Sequence, residues 1–102
     1  MIARIWHGWT PPENAAAYED FLRTKMFPSI HRVPGYLGAD LLRSDGTDEI
    51  AFVTITRFES LAAVKEFAGE DYELAVVEPE ARQLLSRFDE RSEHYEVVID
   101  HA

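Results

Sequence analysis

The amino-acid sequence predicts an α+β domain of the ferredoxin-like type. This is a split βαββαβ chain whose four strands form an antiparallel sheet of order 4-1-3-2, with the helices on one face. Three observations predict it. Residues 4–10, RIWHGWT, alternate as a strand does; residues 15–30 repeat apolar side chains every three or four positions; and residues 36–58 hold two apolar runs separated by SDGTD.

Strand one is read as residues 1–9. Ile5, His7 and Trp9 then point to one face, and Arg4, Trp6 and Gly8 to the other. The TPPE that follows predicts a helix start, with Thr10 as N-cap, prolines in the first turn and Glu13 closing a capping box. Ala15, Tyr18, Leu22, Met26 and Ile30 form the buried stripe of that helix. Pro28 predicts its last regular turn near Phe27, with a loose or 3₁₀ exit, because proline removes a helical hydrogen bond.

Residues 36–44 and 49–58 are strands two and three, a hairpin in which Asp45-Gly46 supplies the positive φ angles of the turn. Ser60 is the expected N-cap of a short helix, LAAVKEFA, which Gly69 ends. Residues 71–88 are expected to continue as helical turns restarted at Pro79, and residues 90–99 close the chain as strand four.

At 102 residues the chain is expected to be a single domain over residues 1–102, since a chain this short supports one core. Nineteen acidic against ten basic residues give a formal charge of -9, with the bases scattered. Nucleic acid and anionic membrane are therefore not expected as partners, because both recruit a basic patch. The chain has no cysteine, which excludes disulfides, thiol chemistry and cysteine-held zinc or iron–sulfur sites. No stretch approaches the ~20 apolar residues of a membrane span, and the first residues do not form a basic-then-apolar leader, so the expected location is the cytoplasm.

Two helices can cover only one face of the sheet. Strand three is nevertheless apolar on both sides, with Phe52 and Phe58 on one and Ala51, Val53 and Ile55 on the other, and strand four carries Tyr95, Val97 and Ile99. A solvated antiparallel face alternates with polar residues. The uncovered face therefore predicts a homodimer in which two sheets pack face to face about a two-fold axis.

With RIWHGWT on strand one, VPGYLGADLLR leading into strand two, EIAFVTITRFESLAAVKEFAGEDYELAV from strand three onward and HYEVV at the end, the sequence resembles the antibiotic biosynthesis monooxygenase group of the dimeric α/β-barrel superfamily. The resemblance implies a dimeric barrel with a small-molecule pocket between sheet and helices in each subunit. It also implies a cofactor-independent monooxygenase acting on an aromatic or otherwise apolar molecule, or a non-catalytic ligand-binding or stress-associated dimer. Haem-degrading relatives resemble one another in a strand-one asparagine, a helix-two tryptophan and a ligand histidine. Here His7, Phe67 and Val76 take those places, so haem is not expected, and no cofactor is.

His7 is the candidate catalytic group. With an ordinary pKa of ~6.5, a histidine suits proton removal from an acidic phenol or anthrone. It serves equally as a partly buried residue bonded to a backbone carbonyl or to a strand-four side chain. Trp9 is the expected pocket wall and Trp6 the expected barrel-interior anchor, while Phe67 and Tyr72 flank the pocket mouth or pack in the core. His94, on the strand beside strand one, is the remaining candidate for substrate contact. No H-x-H or H-E-x-x-H spacing occurs, so no metal site is expected.

Overall fold

The computed structural model describes residues 1–102. Strand β1 (Ile2–Thr10) runs between β3 (Ile50–Phe58) and two short pieces, β4 (Arg87–Phe88) and β5 (Glu93–Glu96), and β2 (Tyr36–Asp45) pairs with the outer side of β3. All pairings are antiparallel and the order is β2-β3-β1-β4, with β5 also on β1. This is the expected 4-1-3-2 sheet, with the last strand broken in two by residues 89–92.

Register decides which side chains meet. Arg4 lies opposite Thr56, Trp6 opposite Thr54, Gly8 opposite Phe52 and Thr10 opposite Ile50. In β3 burial alternates strictly, with Ile50, Phe52, Thr54, Thr56 and Phe58 buried, so this set faces the helices. The other face carries Ile5, His7 and Trp9 beside Ile55, Val53 and Ala51, and Leu42 beyond them on β2.

The helical layer opens differently from the expected capping box. Thr10 stays in the strand, its Oγ1 buried without a hydrogen bond, and Pro11 precedes a 3₁₀ turn over Pro12–Asn14 that has no side-chain cap. Two consecutive prolines fix φ and remove the donors a cap would satisfy, which makes the box unnecessary. Helix α1 (Ala15–Phe21) then widens into a π turn at Leu22–Met26 and continues as α2 (Phe27–Ile30). The helix thus runs regularly past Pro28, correcting the expected end near Phe27. The π turn immediately precedes the proline, where an ordinary α turn would press its ring against the carbonyl of Thr24.

Ser60 caps α3 (Leu61–Ala68), accepting from the Ala63 N–H at 3.2 Å, and Gly69 ends it with φ 89°. Both follow the sequence reading. The expected helical turns over 71–78 are absent. Only α4 (Pro79–Leu84) is helical in that region, while Leu74 bridges to Arg91 and the Ala75 N–H donates to the Glu90 carbonyl at 2.8 Å. The hairpin is correct but its turn is not. Gly46 has no positive φ, and a four-residue loop closes through its N–H to the Glu49 carbonyl at 2.9 Å. Glycine is required there for space, since a Cβ would lie 2.8 Å from that same oxygen.

The core has two parts. Ala15, Tyr18, Phe21 and Leu22 pack on Ile50, Phe52 and Ala81; Ile30, Ala63 and Val64 pack on Phe58. Gly35 joins the second part to α3. Its φ is 88°, and a Cβ would come within 2.6 Å of the Ala63 Cβ. Gly35→Ala is therefore expected to lower stability by about 2 kcal/mol or more, read as a lower urea midpoint at unchanged m-value.

Candidate functional site

Between the helices and the buried face of the sheet lies a cavity of about 70 Å³. Its floor is Arg4 and Trp6 of β1 with Thr54 and Thr56 of β3, and its roof is Tyr18, Phe21, Leu22 and Met26. The π turn sets Leu22 and Met26 on this roof, and such turns recur at functional sites. Phe67 of α3 closes one side, residues Val76–Glu78 and Ala81 the other, and Ser92 stands near the strand break. Short threonines between Phe52 and Phe58 leave the room that the larger side chains enter.

Arg4 is the most constrained polar group of the site. It is 4% exposed, and Nη1 donates to the Tyr72 carbonyl and, at 2.9 Å, to His94 Nε2, while Nη2 donates to the Leu74 carbonyl at 3.1 Å. The guanidinium lies 5.5 Å from the Phe67 ring centre. Burial without a carboxylate partner pulls its pKa down to about 10. Burial also pushes the Tyr18 phenol up to about 12, so it stays protonated at neutral pH.

Because arginine only donates, His94 Nε2 is an acceptor, and its proton sits on Nδ1, which is buried without a partner. Burial and the Arg4 charge lower the His94 pKa, and the ring packs edge-on against Tyr72 at 5.1 Å. The unfolded chain takes up this proton at the ordinary value near 6.5, before the folded protein does, so stability falls as pH drops below that value. His94→Gln, which can still accept from Arg4, is expected to flatten the melting temperature between pH 6.5 and 5, where the parent protein declines.

The structure brings together only part of the residues singled out in the sequence. Phe67 lines the cavity. Tyr72 and His94 reach it indirectly, by holding Arg4. His7 and Trp9 are on the other face of the sheet: His7 Nδ1 lies 2.9 Å from Asp89 Oδ2, and Trp9 lies under the Arg87 guanidinium at 3.8 Å. The expected places of the two tryptophans are thus exchanged. Trp6 walls the cavity, its Nε1–H donating to the Asp89 carbonyl at 2.7 Å, and Trp9 faces outward.

Arg4, Trp6, Ser92 and Glu78, whose carboxylate reads from the sequence only as a helix-start charge, were missed as site residues. The run Phe52-Val-Thr54-Ile-Thr56-Arg-Phe58 carried the signal, since two threonines between phenylalanines on one face leave a gap that bulky partners must fill.

A family model for antibiotic biosynthesis monooxygenases matches residues 1–79. The chain belongs to the antibiotic biosynthesis monooxygenase family. No curated protein matches it. Among solved structures, Rv0793 from Mycobacterium tuberculosis superimposes with a TM-score of 0.67 at 20% identity, covering 99% of this chain and 98% of that one. The heme-degrader MhuD from the same organism gives 0.64 at 21% identity, with 100% of both chains covered. SnoaB, a cofactor-independent oxygenase from Streptomyces nogalater, gives 0.55 at 22%, covering 99% and 95%. At these identities the likeness is one of fold.

The family includes a heme degrader, which makes haem a group to test against this site. The lining residues do not fit it. No histidine or cysteine lines the cavity, and Val76, at the place of the ligand histidine, offers only hydrocarbon.

Proposed function

We propose that this antibiotic biosynthesis monooxygenase family member is a cofactor-independent oxygenase that takes an apolar aromatic molecule into the cavity under its helices and works as a homodimer. The observation that carries the reading is the cavity itself, with an apolar and aromatic roof, Trp6 and Phe67 as flat walls, and a small set of polar groups on its floor and sides. SnoaB, described as a cofactor-independent oxygenase, shares the fold.

Such chemistry needs an acidified C–H whose proton is removed, so that dioxygen can react with the resulting carbanion. A CH₂ between aromatic rings then becomes a carbonyl, one oxygen atom staying in the product and the other leaving as water. Glu78, the one carboxylate lining the cavity, takes the proton in this reading, and Phe67 and Trp6 wall the ring system. Tyr72 and His94 act through Arg4. His7 is assigned no step.

The homodimer reading is supported by the open face, where Ile5, Val53 and Ile55 are only half-buried and Leu42 and Tyr95 are 48% and 52% exposed. No helix is long and apolar enough to cross a membrane.

Oxygen uptake with a panel of hydroxylated anthrones and quinols tests the activity. Turnover above buffer is expected, falling about 10²–10⁴-fold in Glu78→Gln. A rate equal to buffer across the panel removes the oxygenase reading and leaves a binding protein.

A further inference from the structure

Arg4 is a buried cation without an anion. Nine ion pairs occur in the protein and none includes it. A guanidinium has five N–H donors, and Arg4 spends three, on two backbone carbonyls and one imidazole nitrogen. Two donors remain without a partner on a side chain that lines the cavity.

Ser92 lines the same cavity, is 5% exposed, and its hydroxyl has no hydrogen-bond partner. Buried polar groups are normally satisfied, and a buried charge is normally paired. Here a cation and an orphan hydroxyl line one mainly apolar cavity, and none of the chain's nineteen acidic residues pairs with the cation.

We infer that the cavity's ligand is an aromatic acid, whose ionised carboxylate is received by Arg4 and the Ser92 hydroxyl while its ring lies among Trp6, Phe67 and the roof side chains. The inference rests on the proposed reading of the cavity as the ligand site and adds the charge of the ligand to it.

Arginine suits the task because its planar fork matches a carboxylate and it stays charged; even lowered to about 10, Arg4 is protonated at neutral pH. The carbonyls of Tyr72 and Leu74 and the ring of His94 hold the guanidinium in place before the ligand arrives, so little ordering is required on binding. Glu78, exposed at the N-terminus of α4, does not neutralise Arg4, whose pKa responds to burial alone. Its charge directs the anionic end of a ligand away from the α4 side of the cavity and toward Arg4.

Calorimetric titration at pH 7.5 with 2-naphthoate and its neutral analogue 2-naphthamide tests the inference. The acid is expected to bind about tenfold or more tightly than the amide, as a charge-assisted bond to a desolvated group requires. Ser92→Ala removes only the orphan hydroxyl, so it should leave the melting temperature unchanged or raised while reducing the preference for the acid severalfold. Arg4→Lys keeps the charge but loses the fork and is expected to abolish most of that preference, with circular dichroism reporting the fold.

Equal binding of acid and amide by the parent protein overturns the inference and leaves the cavity as a site for neutral ligands. Binding of neither overturns both the inference and the reading of the cavity as the ligand site. A preference for the acid that Ser92→Ala and Arg4→Lys both leave intact places the anion elsewhere and also overturns the inference.

Discussion

Phe58→Ala is expected to lower the free energy of unfolding by about 3–5 kcal/mol, a large share of the 5–15 kcal/mol available to a domain of this size. The side chain is 0% exposed and stands between the rings of Tyr36 and Phe67, at 6.0 and 5.9 Å between centres. Ile30, Ala63 and Val64 complete its surroundings, so α2, α3 and the sheet all lose contacts when it is truncated. The void cannot collapse easily, because β3 is held in register on both sides by β1 and β2. Urea unfolding followed by circular dichroism measures the loss. A change under 1 kcal/mol would mean that the second core cluster does not hold α3 to the sheet. Phe67, which stacks on Phe58 and closes one side of the cavity, should loosen in the variant, so ligand affinity falls together with stability.

Ile55→Asp should convert the proposed dimer into a folded monomer. Ile55 pairs with Ile5 at the middle of the uncovered face, on the two central strands, and its other neighbour in the row is Asp40. In a free subunit the new carboxylate meets water at little cost. In a face-to-face dimer it is buried beside Asp40 and opposite the partner sheet, and an uncompensated buried charge costs about 3–5 kcal/mol. The dissociation constant should then rise by at least about 100-fold. Sedimentation at micromolar concentration measures this alongside the far-ultraviolet spectrum. A parent protein that sediments as a folded monomer would refute the dimer, as would a variant that still pairs.

Much of the architecture was legible locally. Ser60 and Gly69 bound a helix because a hydroxyl satisfies an otherwise free N–H at one end and glycine accepts a left-handed backbone at the other. The stripe from Ala15 to Ile30 identified the helical face that packs on the sheet, even though the regular turns run past Pro28 by way of a π turn. Strand order followed from the sequence of elements and the handedness of their connections. The stretch 71–78 misled because its apolar spacing is compatible with a helix, whereas its backbone groups pair with residues 90–92 across the strand break. Only a contact distant in sequence reveals that.

The site divides along the same line. By itself, the sequence determined that β1 would carry bulky side chains on both faces and that a sheet with two helices would leave one face bare. Which face of β1 belongs to the cavity was decided by register alone. Strand side chains alternate with period two, so placing Thr54 opposite Trp6 sends Arg4 and Trp6 under the helices and His7 and Trp9 to the open side. A sequence with a tryptophan in each phase contains no local term that prefers one assignment. Tertiary packing chose the phase in which Gly8 and Thr10 leave room for the helices, and so put an arginine rather than a histidine in the cavity.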